Sequence, residues 1–437
     1  MDMTEYQVQR TIYNRLVLPV SWGVLRAAAP FHEKLRNTIR GREAVMDRWR
    51  AAGESMRDRP VWFHVASVGE YEQARPLITA LGETHPGIEV ALSVTSPTGY
   101  KYIRRKEAIG EGNNVRFADH LPFDFAKNAR FCLDTLRARL LVFVKFDLWP
   151  NLIWEAAARR TPTVLIDATL SETSKRNTAL AKRFYRAVYS KLDKILAISD
   201  ADRRRFLECV PDHPCVMAVG DTRFDRVMER KRDRKDTKPR IDKKGRLTLM
   251  AGSTWPKDEA NILGPLARLA KADPGTLLVI APHEPALERV EALLTWSRGH
   301  GLRAVRLSEQ ASGNPHDGGE HVVIVDSVGV LAELYEDADI AYIGGSFSTG
   351  VHNVIEPAIM GIPVLFGPVH KNSFEALELL RYGAAIEVNT ETETFDALAG
   401  LVKDHDKRTD MGRRARAYVE SQLGATERCY EAIREYL

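Results

Sequence analysis

The stretch V-W-F-H-V-A-S-V-G-E-Y-E-Q-A-R-P-L, residues 61–77, decides the fold. Its first five residues form an apolar run, and S-V-G-E then opens a helical pattern, so a strand buried on both faces runs straight into a helix. The same reading applies to V-A-L-S-V (90–94), L-L-V-F-V (140–144), T-V-L-I-D (163–167) and K-I-L-A-I (194–198). Strands alternating with helices make βαβ units and a parallel sheet. The alternation resumes later in R-L-T-L-M-A-G (246–252), T-L-L-V-I-A-P (276–282), V-V-I-V-D (322–326), I-A-Y-I-G-G (340–345) and P-V-L-F-G (363–367). Between the halves lies a charged stretch, Glu229 to Arg246, with acidic residues among the basic ones, which reads as a linker. The expected architecture is α/β, with two doubly wound domains facing a cleft. In such sheets ligands bind beyond the carboxyl ends of the strands.

The chain has 437 residues, long enough for two cores, and its 44% apolar and 28% charged content is that of a globular protein. A net charge of +4 gives no ground for a nucleic-acid partner. Residues 1–60 hold eleven Lys/Arg against seven Asp/Glu, an excess equal to that of the whole chain. Within them, residues 13–31 are apolar but interrupted by Arg15, Pro19 and Arg26. A spanning helix needs about 20 mostly apolar residues, and an arginine at its centre costs about 3 kcal/mol, so spanning is not expected. Trp22 and the arginines suit a helix lying on an anionic membrane surface; packing of this helix on the domain is the other reading. No signal peptide is expected, since the apolar run is broken and no small-residue cleavage site follows. The four cysteines, Cys132, Cys209, Cys215 and Cys429, have no zinc or disulfide spacing and suggest a reducing compartment.

Chemistry is sought at the strand ends. In the second half, A-G-S-T-W-P-K-D-E (251–259) puts Ser253 and Thr254 where a strand meets a helix. They either cap that helix or help hold an anion at its start. In I-G-G-S-F-S-T-G-V-H-N-V-I-E-P-A (343–358), Gly344 and Gly345 end a strand so that a ligand can approach the backbone, and Gly350 precedes His352 and Asn353. N–H groups from Ser346 to His352 would meet a phosphate, and Glu356, a turn beyond Asn353, would accept from a ribose diol; helix capping by Asn353 and Glu356 is the alternative. The stretch has neither G-x-G-x-x-G nor a Walker lysine. His283, in A-P-H-E-P, follows a strand end and either faces the same ligand or is an ordinary surface histidine. No metal-site spacing is present and no cofactor is expected. In the first half the strand ends offer Ser67 and Glu70, Thr95, and Asp147 in K-F-D-L-W-P-N, groups suited to a sugar acceptor. Glu70 at a helix start has two readings, a cap or a base. Pro76 is expected to disturb the first turns, leaving the Glu70 carboxylate turned away from its own backbone. No nucleophile elbow appears.

S-V-G-E in one half, G-G-S-x(5)-H-N-x-x-E-P in the other, Y-N-R-L from residue 13, L-W-P-N (148–151) and A-I-M-G-I-P-V-L-F-G-P (358–368) together carry a resemblance. The chain resembles the Kdo transferases, which move 3-deoxy-D-manno-oct-2-ulosonic acid (Kdo) from CMP-Kdo onto a lipid A precursor. The resemblance implies a GT-B glycosyltransferase of two Rossmann-like domains, inverting and metal-independent, at the cytoplasmic face of the bacterial inner membrane, peripheral or monotopic. It implies residues 1–50 as a membrane-associating segment, 51–228 as the acceptor domain, 229–246 as linker and 247–437 as the CMP-Kdo domain, its last helix crossing back. It assigns Glu70 as general base, and His352, Asn353 and Glu356 to the CMP site. Two departures stand out: Lys145 replaces an acidic residue ahead of L-W-P-N, and A-P-H-E-P lacks an arginine, keeping only His283. Rival readings are a GT-B transferase using a UDP-sugar, a GT-B-like epimerase, and a non-catalytic membrane scaffold.

Overall fold

In the computed structural model the described residues are 3–110, 112–172, 174–232, 240–311 and 319–437. The chain divides into two compact units, Met1–Arg226 with Leu423–Leu437, and Val227–Gln422.

The first unit holds a seven-stranded parallel sheet of β1 (Val61–Val65), β2 (Val90–Val94), β3 (Val115–His120), β4 (Leu140–Val144), β5 (Thr163–Ala168), β6 (Lys194–Ala197) and β7 (Val216–Ala218). Their order is β3-β2-β1-β4-β5-β6-β7. Val61 is in register with Val90 on one side and Leu140 on the other, and all five residues of β1 are buried. Helices cover both faces, which is why the central strands read as unbroken apolar runs. Chain order reverses direction between β1 and β4, so a crevice opens beyond their carboxyl ends. The terminal helix Ala425–Ile433 packs in this unit, where Asp225 accepts from the backbone N–H groups of Gly424 and Thr426 at 2.7 and 2.6 Å.

The second unit holds β8 (Leu247–Thr254), β9 (Thr276–Pro282), β10 (Ala304–Arg306), β11 (Val322–Ile324), β12 (Ile340–Ile343), β13 (Val364–Phe366) and β14 (Ala385–Glu387). This sheet is again parallel, in the order β10-β11-β9-β8-β12-β13-β14, with its reversal between β8 and β12.

Two expectations need adjustment. The charged stretch 229–246 is not all linker: residues 229–232 complete the helix Thr222–Arg232, and Ile241 is buried with its N–H on Asp337 at 3.0 Å. Its middle, residues 233–239, lies outside the described residues. The helix Val68–Thr84 runs unbroken through Pro76. Pro76 withdraws only the N–H that the Glu72 carbonyl would accept, beyond the first turn, so the helix start is regular.

The amino-terminal segment packs on the first unit along one side and leaves apolar side chains exposed along the other. Helical residues Met3–Ile12, Tyr13–Val17 and Leu18–Ala28 follow without a break. One side is tied down: Tyr13 donates to buried Asp124 at 2.9 Å, Asn14 and Asn151 exchange amide hydrogen bonds at 2.9 and 2.8 Å, and Arg10 pairs with Glu155 at 2.6 Å. The other side is exposed and apolar, with Val8, Ile12, Leu16, Val20 and Val24 at every fourth position and 43–64% exposed. Among the described residues no helix is long and apolar enough to cross a membrane.

Candidate active site

Strand β1 delivers Glu70 to the chain reversal of the first sheet. Ser67 is the N-cap of the following helix: its hydroxyl accepts from the Glu70 N–H at 3.4 Å, while the Glu70 carboxylate reaches back to accept from the Ala66 N–H at 2.5 Å. This reciprocal pattern satisfies two N–H groups left over at the helix start. The expectation that Glu70 turns away from its own backbone is therefore corrected: it caps. Capping leaves its basicity intact, because Glu70 is buried and burial pushes its carboxyl from 4.5 up to about 7. The Ala66 N–H and the charge of Lys145 pull it down, and the charge of Asp147 pushes it up. A carboxyl that titrates near neutrality suits proton transfer.

Asp147 comes from the turn after β4, on the other side of the reversal. Its Oδ2 accepts from the Thr95 hydroxyl at 2.8 Å, from Trp149 Nε1 at 3.3 Å and lies 3.2 Å from His64 Nε2. Burial raises its pKa, but hydrogen bonds from His64, Thr95 and Trp149 outweigh burial and hold it below the ordinary value. His64 Nδ1 pairs with Ser93 at 2.8 Å, and Ser93 also accepts from Trp62 Nε1 at 2.8 Å. Sequence reasoning placed Ser67, Glu70, Thr95 and Asp147 here and missed His64 and Ser93. Both are polar residues inside otherwise apolar strands, which was the available signal. Lys145, the first departure noted above, adopts a left-handed backbone with φ of 66° at the end of β4.

In the second unit, Ser253 sits near the end of β8, His283 follows β9, and His352 and Asn353 lie in the turn after β12. Trp255, quoted in the sequence but given no role, joins the two histidines. Its indole Nε1–H donates to His352 Nε2 at 2.8 Å. The His283 ring stacks on Trp255 at 4.7 Å and on His352 at 4.4 Å, the latter with 10° between planes. His352 is held below its ordinary pKa by burial first and by His283 second. Glu356 pairs with Arg230 at 3.3 Å.

Several expected ligand groups are instead committed to the protein. The buried Thr254 hydroxyl donates to the Glu259 side chain at 2.8 Å, so it neither caps the helix, whose N-cap is Trp255, nor is left over for an anion. The buried Ser346 hydroxyl donates to the Ile343 carbonyl at 2.9 Å and accepts from the Gly367 N–H at 2.7 Å. Asp258 accepts from the N–H groups of Gly345 and Phe347 at 2.8 and 3.1 Å, the N–H groups of Ser348, Gly350 and His352 go to the Gly345 and Gly344 carbonyls, and that of Val351 goes to the Val369 carbonyl after β13. The run of N–H groups expected to meet a phosphate is thus mostly spent. The glycines serve close backbone approach, but of the protein to itself. A Cβ at Gly345, φ 80°, would lie 2.3 Å from the Gly350 carbonyl oxygen, and one at Gly350 2.5 Å from the Asn372 side chain. Asn353 accepts from the Ile355 N–H at 3.0 Å, just ahead of the short helix that holds Glu356 and whose N-cap is Val354. Among the described residues, the Ser253 hydroxyl, the His283 ring nitrogens, His352 Nδ1 and Asn353 Nδ2 have no hydrogen-bond partner in the protein, and no three His, Cys, Asp or Glu residues group as a metal site would need.

Comparison with known proteins bears on this arrangement. Residues 20–226 match the family model described as 3-deoxy-D-manno-octulosonic-acid transferase (kdotransferase). A 3-deoxy-D-manno-octulosonic acid transferase of Bordetella pertussis is 29% identical over 391 residues, covering 86% of this chain and 87% of that protein. One from Haemophilus influenzae is 26% identical over 407 residues, covering 91% and 92%. Among solved structures, UDP-GlcNAc 2-epimerase from Neisseria meningitidis bound to UDP-GlcNAc superposes with a TM-score of 0.61 at 15% identity, over 86% of this chain and all of that one. That likeness identifies the GT-B fold and carries no activity. Residues 20–226 match the Kdo transferase family model and Kdo transferases are similar to the chain along most of its length, which makes it a glycosyltransferase.

Proposed function

We propose that this enzyme transfers Kdo from CMP-Kdo to a lipid A precursor in lipopolysaccharide inner-core synthesis, with inversion, without a metal ion, and with Glu70 as general base. The observation that carries the reading is Glu70 itself, a buried carboxyl with a pKa of about 7 at the reversal point of the first sheet. In its ionised form it takes the proton of an acceptor sugar hydroxyl as that oxygen bonds to the anomeric carbon of Kdo. The bond from that carbon to the CMP phosphate oxygen breaks, and its electron pair leaves with CMP. A positioned base contributes about 10²- to 10⁴-fold. Single displacement with the base opposite the leaving group inverts the anomeric centre.

The donor nucleotide is assigned to the second unit. Ser253, His283, His352 and Asn353 supply the uncommitted donors, and Glu356 accepts from the ribose; Thr254, Gly345, Ser346 and Gly350 shape the turns that hold them. Asp147, Thr95 and Ser67 line the acceptor side. The exposed stripe from Val8 to Val24, with Arg15 and Arg26 beside it, fits a peripheral position on anionic lipid at the cytoplasmic face of the inner membrane, where a lipid acceptor resides. No nucleic-acid partner is proposed.

The test is to incubate the protein with CMP-Kdo and a tetra-acylated lipid A precursor and read the mass of the lipid. Addition of Kdo by the wild type, none by Glu70→Gln, and CMP binding by both is the expected result. Transfer from a UDP-sugar instead, or undiminished transfer by Glu70→Gln, would overturn it.

A further inference from the structure

An indole nitrogen is a donor only. Trp255 Nε1 lies 2.8 Å from His352 Nε2, so Nε2 accepts and carries no proton. Whatever proton the neutral imidazole holds is then at Nδ1. The Trp255 and His352 planes are 19° apart with centroids at 6.5 Å, the geometry of two rings lying side by side and joined by that hydrogen bond. The His283 ring covers both. Protonating His352 at Nε2 would expel the indole N–H and set a cation against the face of a second imidazole. The groups facing His352 from its neighbours are Trp255 after β8, His283 after β9, and Asp258 in the helix Pro256–Ala272. The Asp258 carboxylate favours a charged His352, but it is already shared among the N–H groups of Gly345, Phe347 and Trp255.

We propose that Trp255 is a positioning residue of the donor site: it fixes His352 as the neutral Nδ1–H tautomer, so that His352 meets a phosphate oxygen of the nucleotide with one directed N–H and no full charge. The use assigned to His352 rests on the nucleotide reading above; the tautomer itself does not. Hydrogen bonds from charged donors are about twice as strong as neutral ones. A neutral His352 therefore steers the phosphate without holding the departing CMP as an imidazolium would. The second departure from the family pattern, an arginine missing beside His283, belongs to the same economy of charge.

The test uses the full chain with ¹⁵N-labelled histidine and long-range ¹H–¹⁵N correlation, the His352 signals being assigned by their loss in His352→Asn. The wild type at pH 8 should show the Nδ1–H pattern. Trp255→Phe, which keeps an aromatic ring and removes the N–H, should lose it. CMP should bind Trp255→Phe about fivefold more weakly at pH 8, the equivalent of one ordinary hydrogen bond. Its affinity relative to the wild type should then recover as pH falls through the imidazole range, the ratio cancelling the titration of the CMP phosphate itself, whose second pKa of about 6 lies in the same range. An Nε2–H pattern in the wild type, or an unchanged pattern in Trp255→Phe, overturns the proposal. If Trp255→Phe does not fold, the wild-type spectrum decides alone. A wild type that shows Nδ1–H yet binds no CMP overturns the nucleotide reading and the use given to His352, and is distinguished by the spectrum from failure of the tautomer assignment.

Discussion

Replacing Glu70 by Gln should make the first unit more stable at alkaline pH while removing activity. A carboxyl whose pKa is raised by folding is protonated in the native state when it is already ionised in the unfolded one. Folding then binds a proton, and stability falls as pH rises from the unfolded value of 4.5 to the folded value of about 7, staying constant above it. The span between these values, at 1.36 kcal/mol per pH unit, is about 3 kcal/mol. Glutamine is never charged, has nearly the same shape, and keeps an oxygen to accept from the Ala66 N–H. The variant should therefore match the wild type near pH 4 and exceed it by up to about 3 kcal/mol at pH 8. Urea unfolding followed by tryptophan fluorescence suits the measurement, because Trp22, Trp49, Trp62, Trp149 and Trp154, five of the seven tryptophans, belong to the first unit. The rate should rise with pH to a plateau, with an apparent pKa of about 7 for the wild type. A stability difference that does not change between pH 4 and pH 8 would refute the argument that burial dominates the titration of Glu70.

Three further outcomes are expected. In Asp147→Asn the negative charge that raises Glu70 is gone, so the acid limb of the pH–rate profile should move to lower pH; a limb that stays or moves upward contradicts the placement of these two carboxyls. Tyr13→Phe leaves buried Asp124 without its hydroxyl donor and should cost about 1–3 kcal/mol in urea unfolding, with a smaller loss contradicting the contact. Leu16→Gln, Val20→Gln and Val24→Gln combined should weaken sedimentation with anionic vesicles about a hundredfold, taking about 1 kcal/mol for each exposed portion, without lowering the unfolding midpoint; unchanged sedimentation counts against the membrane face. These substitutions are a cleaner probe than deleting residues 1–30, because deletion would also remove Tyr13, Asn14 and Trp22 from their contacts with the first unit.

The ten strands read from the sequence are the ten interior strands of the two sheets, and the four it did not yield, β3, β7, β10 and β14, are the four edges. The cause is physical. An interior strand of a parallel sheet has neighbours on both sides and helices on both faces, so its sequence is a continuous apolar run. An edge strand such as Val216–Ala218 or Ala304–Arg306 is short and partly exposed, and carries no such run. Strand ends singled out Glu70 and Asp147, which the structure brings together in the first unit, and His283 and His352, which stack in the second. That position did not reveal which polar atoms were already occupied. The Thr254 hydroxyl is committed to a carboxylate five residues away and the Ser346 hydroxyl to an N–H twenty-one residues away. The partner of Trp255 is ninety-seven residues distant, a pairing that sequence spacing does not encode.

The anchorage of the amino-terminal helices has a consequence for depth. Asp124 holds Tyr13 with one oxygen and, in the same carboxylate, accepts from the N–H groups of Asn151 and Leu152 at 3.0 and 3.1 Å, in the helix that begins three residues after Asp147. The apolar stripe cannot pivot without pulling on this carboxylate. If the stripe rests on lipid, the height of Glu70 above the bilayer is set by the fold and not by a flexible leash. Reach then becomes a selection rule: a hydroxyl is glycosylated when its sugar stands at that height, and an acceptor whose headgroup is one sugar shorter or longer presents its hydroxyl at the wrong level, whatever its affinity.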